Sequence, residues 1–492
     1  MTTAAGSTGH VEEKRTMEAR SPSESFLVFS DVHLGSDLDD QQGNAPRRST
    51  SVDRDLVALI EHYRKVRPTG ERWHIVIAGD FIDFIGMTIT TGARALETQL
   101  TEEEHAHGLG GAADHACEKL RRVAARHTDV FAELALFVAD GHALTLVHGN
   151  HDIELHWDIV KDELRRVLVE QATAAHGDAL DVTAFGSRIS FDPWFFWRDG
   201  VAFIEHGHQY DPFCATSHVM TPLSPIDPRR IARGFCDVLL RFVVRPTRGM
   251  TESGHEHVGL AHYVQFGMRL GFGGGIALGL RFARAVRELF RLRTASFSAA
   301  ARELRREHDL RIAQLAAAKR IGIERLRRLL ALQSKPLTSS IRGILGSVLL
   351  DRLALAAAAL LAMLTVIVLG SVGGDGVAFR LGSCLGIVGL WTTVHLILAR
   401  ARNVDPSRQL AERASHLASL FPAAFIVMGH THVPQSIRAG NATYINVGSW
   451  AEHEDGSERA ARTHLVIHPT PDGAEAVFCT WSDDGPRKLD RG

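Results

Sequence analysis

Five short stretches of this chain set carboxylates, an amide and imidazoles directly after apolar runs. FSDVHLG carries Asp31 and His33, IAGDFIDF carries Asp80 and Asp83, and LVHGNHD carries Asn150, His151 and Asp152. IEHGHQYD adds His206 and His208, and VMGHTHVPQ adds His430 and His432. A lone aspartate at a strand end ordinarily caps a helix, and a lone buried histidine is ordinarily a satisfied core residue. Five such clusters in one topological position call for a common cause, because open α/β sheets gather their sites at the C-terminal ends of strands. Oxygen and imidazole donors without thiolate suit Mn, Fe or Zn rather than Ca or a structural zinc. Read as extended backbone, Asp31 and His33 are two residues apart and project to the same side.

The elements that must position these groups are legible as apolar runs. FLVFS (26–30), WHIVIA (73–78), ALTLVH (143–148) and VAFIEH (201–206) read as buried strands, with helical spacing at 52–66 and 112–139 between them. SRISFDPWFFWRDG (187–200) reads as a hairpin feeding the fourth run. Strand grammar returns at AAFIVMGH, TYINVGSW, THLVIH and EAVFCTW. The expected organisation is a polar tail (1–25), an α/β core in two parts (26–211 and 412–482) and a second tail (483–492). A helical insertion (212–411) separates the two parts of the core.

Composition restricts the function. With 492 residues, 45% apolar content and a formal charge of −2, the chain can bury a large core and shows no bulk affinity for nucleic acid. Five cysteines (Cys117, Cys214, Cys236, Cys384 and Cys479) form no CxxC pair, which fits a reducing compartment and argues against a thiolate metal site. The first 25 residues contain no apolar segment of the kind a signal peptide needs, so the core is expected in the cytoplasm.

Taken together, DxH, GDxxD, GNHD, the HG pair and GHTH resemble the calcineurin-like metallophosphoesterase superfamily over about half of the chain. GDFIDF and GNHD depart from the GDxVDRG and GNHE of the Ser/Thr protein phosphatases. No basic, aromatic-interleaved groove suggests a nuclease. The motif set, with its late INVGS strand, is most similar to UDP-2,3-diacylglucosamine hydrolases, whose helical lid falls where this longer insertion lies. The resemblance implies a four-layer α/β/β/α sandwich and two divalent metal ions, Mn first and Fe or Zn next. One metal would take Asp31, His33, Asp80 and His432, and Asp80 would bridge to a second that takes Asn150, His206 and His430. It also implies that His151 donates a proton or stabilises the transition state, oriented by Asp152. His208 stands where relatives read HGD, so its role is open. The charges agree: two dications against two aspartates and a neutral asparagine leave a site that attracts a phosphate anion.

The insertion holds two apolar runs, 353–370 and 381–399, long enough to cross a bilayer. Lys335, Arg342 and Arg352 precede the first run, and Arg400, Arg402 and Arg408 follow the second; the connector 371–376 carries only Asp375. The positive-inside rule then expects a two-helix, multi-pass protein with both termini and the catalytic core cytoplasmic. The Gly-rich stretch 270–280 is too short to cross and reads as interfacial or re-entrant. Segment 281–342 has about three times as many basic as acidic residues. Within it, Leu304, Ile312, Leu315, Ile323, Leu326 and Leu330 share one helical face, to be covered either by protein or by the anionic leaflet. The expected function is hydrolysis of a phosphoester or pyrophosphate, lipid-linked, with membrane lipids as partners and no nucleic acid. Two alternatives stay open: a soluble nucleotide-type substrate with the hairpin used only for location, and an inactive membrane scaffold.

Overall fold

The computed structural model describes residues 23–40, 50–66, 71–90, 95–247, 250, 266, 268–374, 376–402, 405–451, 461–471 and 473–489. Most of the expected N-terminal tail and Asp375 of the connector lie outside them.

The chain is a mixed α/β protein with two sheets. The strands are β1 (Ser23–Phe29), β2 (Glu71–Ala78), β3 (Ala143–Val147), β4 (Ile189–Asp192), β5 (Phe195–Arg198) and β6 (Gly200–Glu205). After the insertion come β7 (Ala423–Met428), β8 (Gln435–Ala439), β9 (Ala442–Asn446), β10 (Thr463–Thr470), β11 (Gly473–Ser482) and β12 (Gly485–Lys488). One sheet runs β12-β11-β10-β1-β2-β3-β4 and the other β5-β6-β7-β9-β8. The site-bearing strands are parallel to their site-bearing neighbours: β1 with β2, β2 with β3, and β6 with β7.

Alternation along each strand explains why these runs are apolar throughout. Leu27, Phe29, Ile75 and Ile77 enter one cluster with the helices Thr50–Lys65, Ala113–Arg126, Thr128–Ala139 and Asp158–His176. Their neighbours Phe26, Val28, Val76 and Ala78 point the other way, into a cluster shared with Ala202, Ile204, Val427 and Ile445 of the second sheet. Phe203, Ile426 and Met428, on the second sheet's far face, pack with Ile312, Leu315, Leu326 and Leu417. Strands covered on both faces must be apolar on both faces.

Several expectations need correction. The segment 187–200 is not a hairpin: β4 joins the first sheet beside β3, whereas β5 pairs with β6 in the second. Pro193, which has no N–H for a ladder, sits at this change of sheet. Ser23–Ser25 of the expected tail belong to β1, and β12 falls in the expected C-terminal tail. The amphipathic segment 302–330 spends its apolar face on the second sheet, where Ile312, Leu315 and Leu326 are buried, so that face does not lie on a bilayer.

The two long apolar runs fall within the helices Leu350–Val372 and Val377–Arg402, both long and apolar enough to cross a membrane. Arg352 donates to the Leu398 carbonyl (3.1 Å) and Arg380 to Ser371 Oγ (2.6 Å), tying the pair near both ends. Leu360, Leu361, Leu364, Leu385 and Leu390 are exposed, as a lipid-facing surface requires.

Candidate metal centre

Each cluster leaves the C-terminal end of a parallel strand, but not in extended backbone. Asp31, His33, Asp80, His430 and His432 all have positive φ, between 52° and 69°. Among the described residues, only Arg320 and Leu349 are further non-glycine cases. Left-handed backbone is costly for residues with a Cβ and tends to be retained at functional sites. Asp31 and His33 are therefore brought together by two left-handed residues, not by the alternation of a strand. The turn is fixed across β1 and β2, where Val32 N and His33 N both donate to the Asp80 carbonyl (2.9 and 3.0 Å). The preceding glycines allow the close approach: a Cβ on Gly149 would overlap Asp80 Oδ1, and one on Gly429 would overlap Ser30 Oγ and Asp31 Oδ2.

The donors converge at two adjacent points. Asp31 Oδ1 lies 3.1 Å from His432 Nε2 and 3.9 Å from His33 Nε2. His33 Nε2 in turn lies 3.7 Å from Asp80 Oδ2. At the second point, His206 Nε2 lies 3.1 Å from both Asp80 Oδ2 and Asn150 Oδ1. Asp80 Oδ2 thus reaches both points. His206 Nδ1–H donates to the Ala78 carbonyl (2.9 Å), so in a neutral imidazole Nε2 carries the lone pair. Nitrogen, carboxylate and amide oxygen would then face one another with no proton between them, an arrangement that could hold a metal ion. Asp31 Oδ1 and His33 Nε2 are likewise buried without a hydrogen-bond partner. Without a metal the balance falls on protons. Burial lowers His206, but the Asp80 and Asp31 carboxylates outweigh it and raise it to about 9. For Asp31, burial is opposed and outweighed by His206 and His432, which hold it well below the usual carboxylate range.

The remaining expected residues divide. His151 lies beside His33, ring centroids 4.6 Å apart, and its backbone N–H donates to Asp80 Oδ1 (2.8 Å). Its orienting partner is not Asp152. Asp83 Oδ1 lies 2.7 Å from His151 Nδ1, while Asp152 is fully buried and accepts from Gly149 N (2.6 Å) and Phe81 N (2.8 Å). Asp152 therefore holds the loop backbone together. His430 stands 5.2 Å from the His206 ring, with its Nε2 3.0 Å from Asp211 Oδ2, which leaves Nδ1 as its other ring nitrogen. His208 is buried, with Nε2 against the Gln209 amide (2.8 Å) and Nδ1 unpartnered, so it lines the site from behind.

Asp83, named in the sequence only as the second aspartate of GDxxD, gains a role here, and two further residues were not singled out there. Asp211 was visible as the end of HGHQYD. Cys214 gave no signal, yet it forms a third cluster with Asp211 and His430, and its Sγ lies 3.4 Å from Cys236 Sγ. The cysteines are well separated along the chain, but these two are neighbours in space. A cavity of about 510 Å³ opens beside the centre, bounded there by Asn150 and Glu154 of the core and by Cys214 of the insertion, and it continues along the insertion to Arg291. Comparison of the chain with protein-family models and with curated protein sequences returns no match.

Proposed function

We propose that this chain is a membrane-anchored metallophosphoesterase of the calcineurin-like type, hydrolysing a lipid-linked phosphoester or pyrophosphate at the cytoplasmic face. The observation that carries the reading is the convergence of Asp31, His33, Asp80, Asn150, His206 and His432 on two adjacent points, with buried donor atoms left unpaired. The three apolar clusters, on the outer faces of the two sheets and between them, support the four-layer α/β/β/α arrangement.

The donor set fits two divalent cations, Mn²⁺ foremost and Fe or Zn next. When bound, they would supply Lewis acidity, making water acidic enough to attack at neutral pH and neutralising charge on the phosphoryl group. The protein's own groups do the rest. Asp80 joins the two halves of the centre, and Asn150, being neutral, keeps the site positive toward an anionic ester. Asp83 holds His151 by Nδ1, which leaves Nε2 as the atom that passes a proton to the departing alkoxide.

The membrane assignment rests on the two exposed apolar helices and on chain continuity. His206 precedes the insertion and His430 follows it, yet their rings lie 5.2 Å apart, so the chain between them must cross a bilayer an even number of times. The test is metal content and Mn²⁺-dependent hydrolysis of chromogenic phosphoesters by the purified protein. Asp80→Ala and Asn150→Ala should each lower metal content and abolish hydrolysis while the fold survives. Two tightly held metals per chain in Asp80→Ala would overturn the assignment.

A further inference from the structure

The helix Gly271–Ala295 has two unlike faces. One is buried: Leu278, Ala285 and Leu289 pack with Phe235, Val238 and Ile344, the last from the short helix Ile341–Ser347 that leads into the apolar hairpin. On the opposite side, at every third or fourth residue, stand Phe272, Ile276, Leu280, Arg284, Arg287 and Arg291, which helical geometry places in one stripe. Its first half is apolar and open, with Phe272 89% exposed, Ile276 51% and Leu280 57%. In its second half the three arginines line the cavity that reaches Asn150 of the metal centre. Deeper cations in that cavity already have counter-charges, since Arg233 and Arg241 share Glu103. Arg291 has Glu288 (3.3 Å), but neither Arg284 nor Arg287 has a hydrogen bond or ion pair among the described residues.

We propose that this stripe is the track by which an anionic lipid passes from the bilayer to the metal centre. Its acyl chain lies over Phe272, Ile276 and Leu280, and a charged group of its head lies between Arg284 and Arg287. The proposal rests on the hydrolase reading and names the surface that selects its substrate. Two features point to a lipid over other occupants: the order of chemistry along the helix, apolar and then cationic toward the site, and its junction with the exposed hairpin through Ile344. At about 1.5 Å per residue, the apolar half spans roughly 12 Å and the arginine half roughly 10 Å, the proportions of an acyl segment followed by a polar head.

The test uses the full-length, Mn²⁺-loaded protein in phosphatidylcholine nanodiscs and the probes butylphosphonate and dodecylphosphonate, which lack a hydrolysable ester. Binding is measured by calorimetry against empty discs. In Phe272→Ser/Ile276→Ser/Leu280→Ser, dodecylphosphonate should bind about tenfold or more weakly, while butylphosphonate stays within about twofold. Arg284→Gln/Arg287→Gln should weaken both probes about tenfold. Phe272→Ser alone, the change least able to disturb packing, should show the same selective loss at about threefold. Unchanged dodecylphosphonate affinity in the triple and single variants would overturn the track and give the stripe to bulk lipid or to another protein. Equal loss of both probes in Phe272→Ser would also overturn it. Failure of the hydrolase reading looks different: no Mn²⁺-dependent hydrolysis, with this binding pattern intact.

Discussion

Asp83 Oδ1 lies 2.7 Å from His151 Nδ1, and Asp83 Oδ2 lies 3.8 Å from His33 Nδ1, so one buried carboxylate holds the expected proton donor and faces an expected metal ligand. Burial alone would raise Asp83, but His151 and His33 outweigh it and hold it well below the usual carboxylate range. The GDxxD spacing puts both aspartates on one loop, where Asp80 faces the centre and Asp83 supports it from behind.

His151→Ala should lower the hydrolytic rate by about 10²–10⁴-fold with metal occupancy near normal. Substrates with good leaving groups should suffer least. Asp83→Asn should lower it by about tenfold or more in the same pattern, since an amide cannot stabilise the imidazolium. To the extent that Asp83 acts through His151, the double variant should be little slower than His151→Ala alone, and any additional loss reads the contact of Asp83 with His33. Equal losses for good and poor leaving groups would remove the proton-donor role and leave charge stabilisation.

Asp152→Ala should separate from these by stability. Its two oxygens accept from Gly149 N and Phe81 N inside the protein, and each lost partner costs about 1–3 kcal/mol. The melting temperature should fall by several degrees, with lower occupancy of the Asn150 and Asp80 ligands only as a consequence. A variant with normal thermal stability and a rate loss matching His151→Ala would restore the orienting role to Asp152.

How far the sequence discloses this arrangement depends on how local the cause is. Strand ends, the clusters beyond them and the two apolar helices are written in contiguous residues, and they emerge where expected. The left-handed backbone of Asp31, His33, Asp80, His430 and His432 is not, because it is imposed by neighbouring strands and by close contacts at Gly149 and Gly429. Asp211 and Cys214 meet His430 across more than two hundred residues. The apolar face of 302–330 was plain in the sequence, but helical periodicity shows only that a face needs cover, not whether sheet or bilayer supplies it. The same limit hid the change of sheet at Pro193, since both sheets offer a strand partner of equal apolarity.

His464 sets a pH dependence away from the metal centre. It is fully buried on β10, with Nε2 2.9 Å from Tyr63 Oη, and burial pushes it down to about 3. The folded state therefore refuses a proton that the unfolded chain takes near its ordinary value of 6.5. Stability from this group is complete above pH 6.5 and is lost as pH falls from there toward 3, at up to about 1.4 kcal/mol per pH unit. The melting temperature should fall between pH 7.5 and 5.5, and His464→Gln, which carries no titrating ring, should show a smaller fall over the same interval. An equal fall in both proteins would place the acid sensitivity elsewhere.

Deleting 353–399 and bridging the ends with a short flexible linker should release the protein from membranes. Arg352 and Arg400 lie at the same end of the helix pair, as the Arg352 contact to the Leu398 carbonyl requires, so a short bridge can join them. The helix Pro406–Leu420, which leads the chain into β7, is capped by Asp405 and packs Leu410, Ala414 and Leu417 on the second sheet independently of the hairpin. The two parts of the core should therefore still meet. We expect a product that keeps its metals and hydrolyses small chromogenic esters near the wild-type rate, yet loses efficiency on a lipid-embedded substrate. In the intact protein, a tag within 371–376 should be reachable only from outside and tags at either terminus only from the cytoplasm. Because the apolar face of 302–330 is spent on protein, the deleted form should show little salt-sensitive attachment to anionic vesicles beyond that of the exposed stripe from Phe272 to Arg291. A wild-type protein soluble without detergent, or termini on opposite sides of the membrane, would remove the anchored-enzyme reading and return the hairpin to a soluble role.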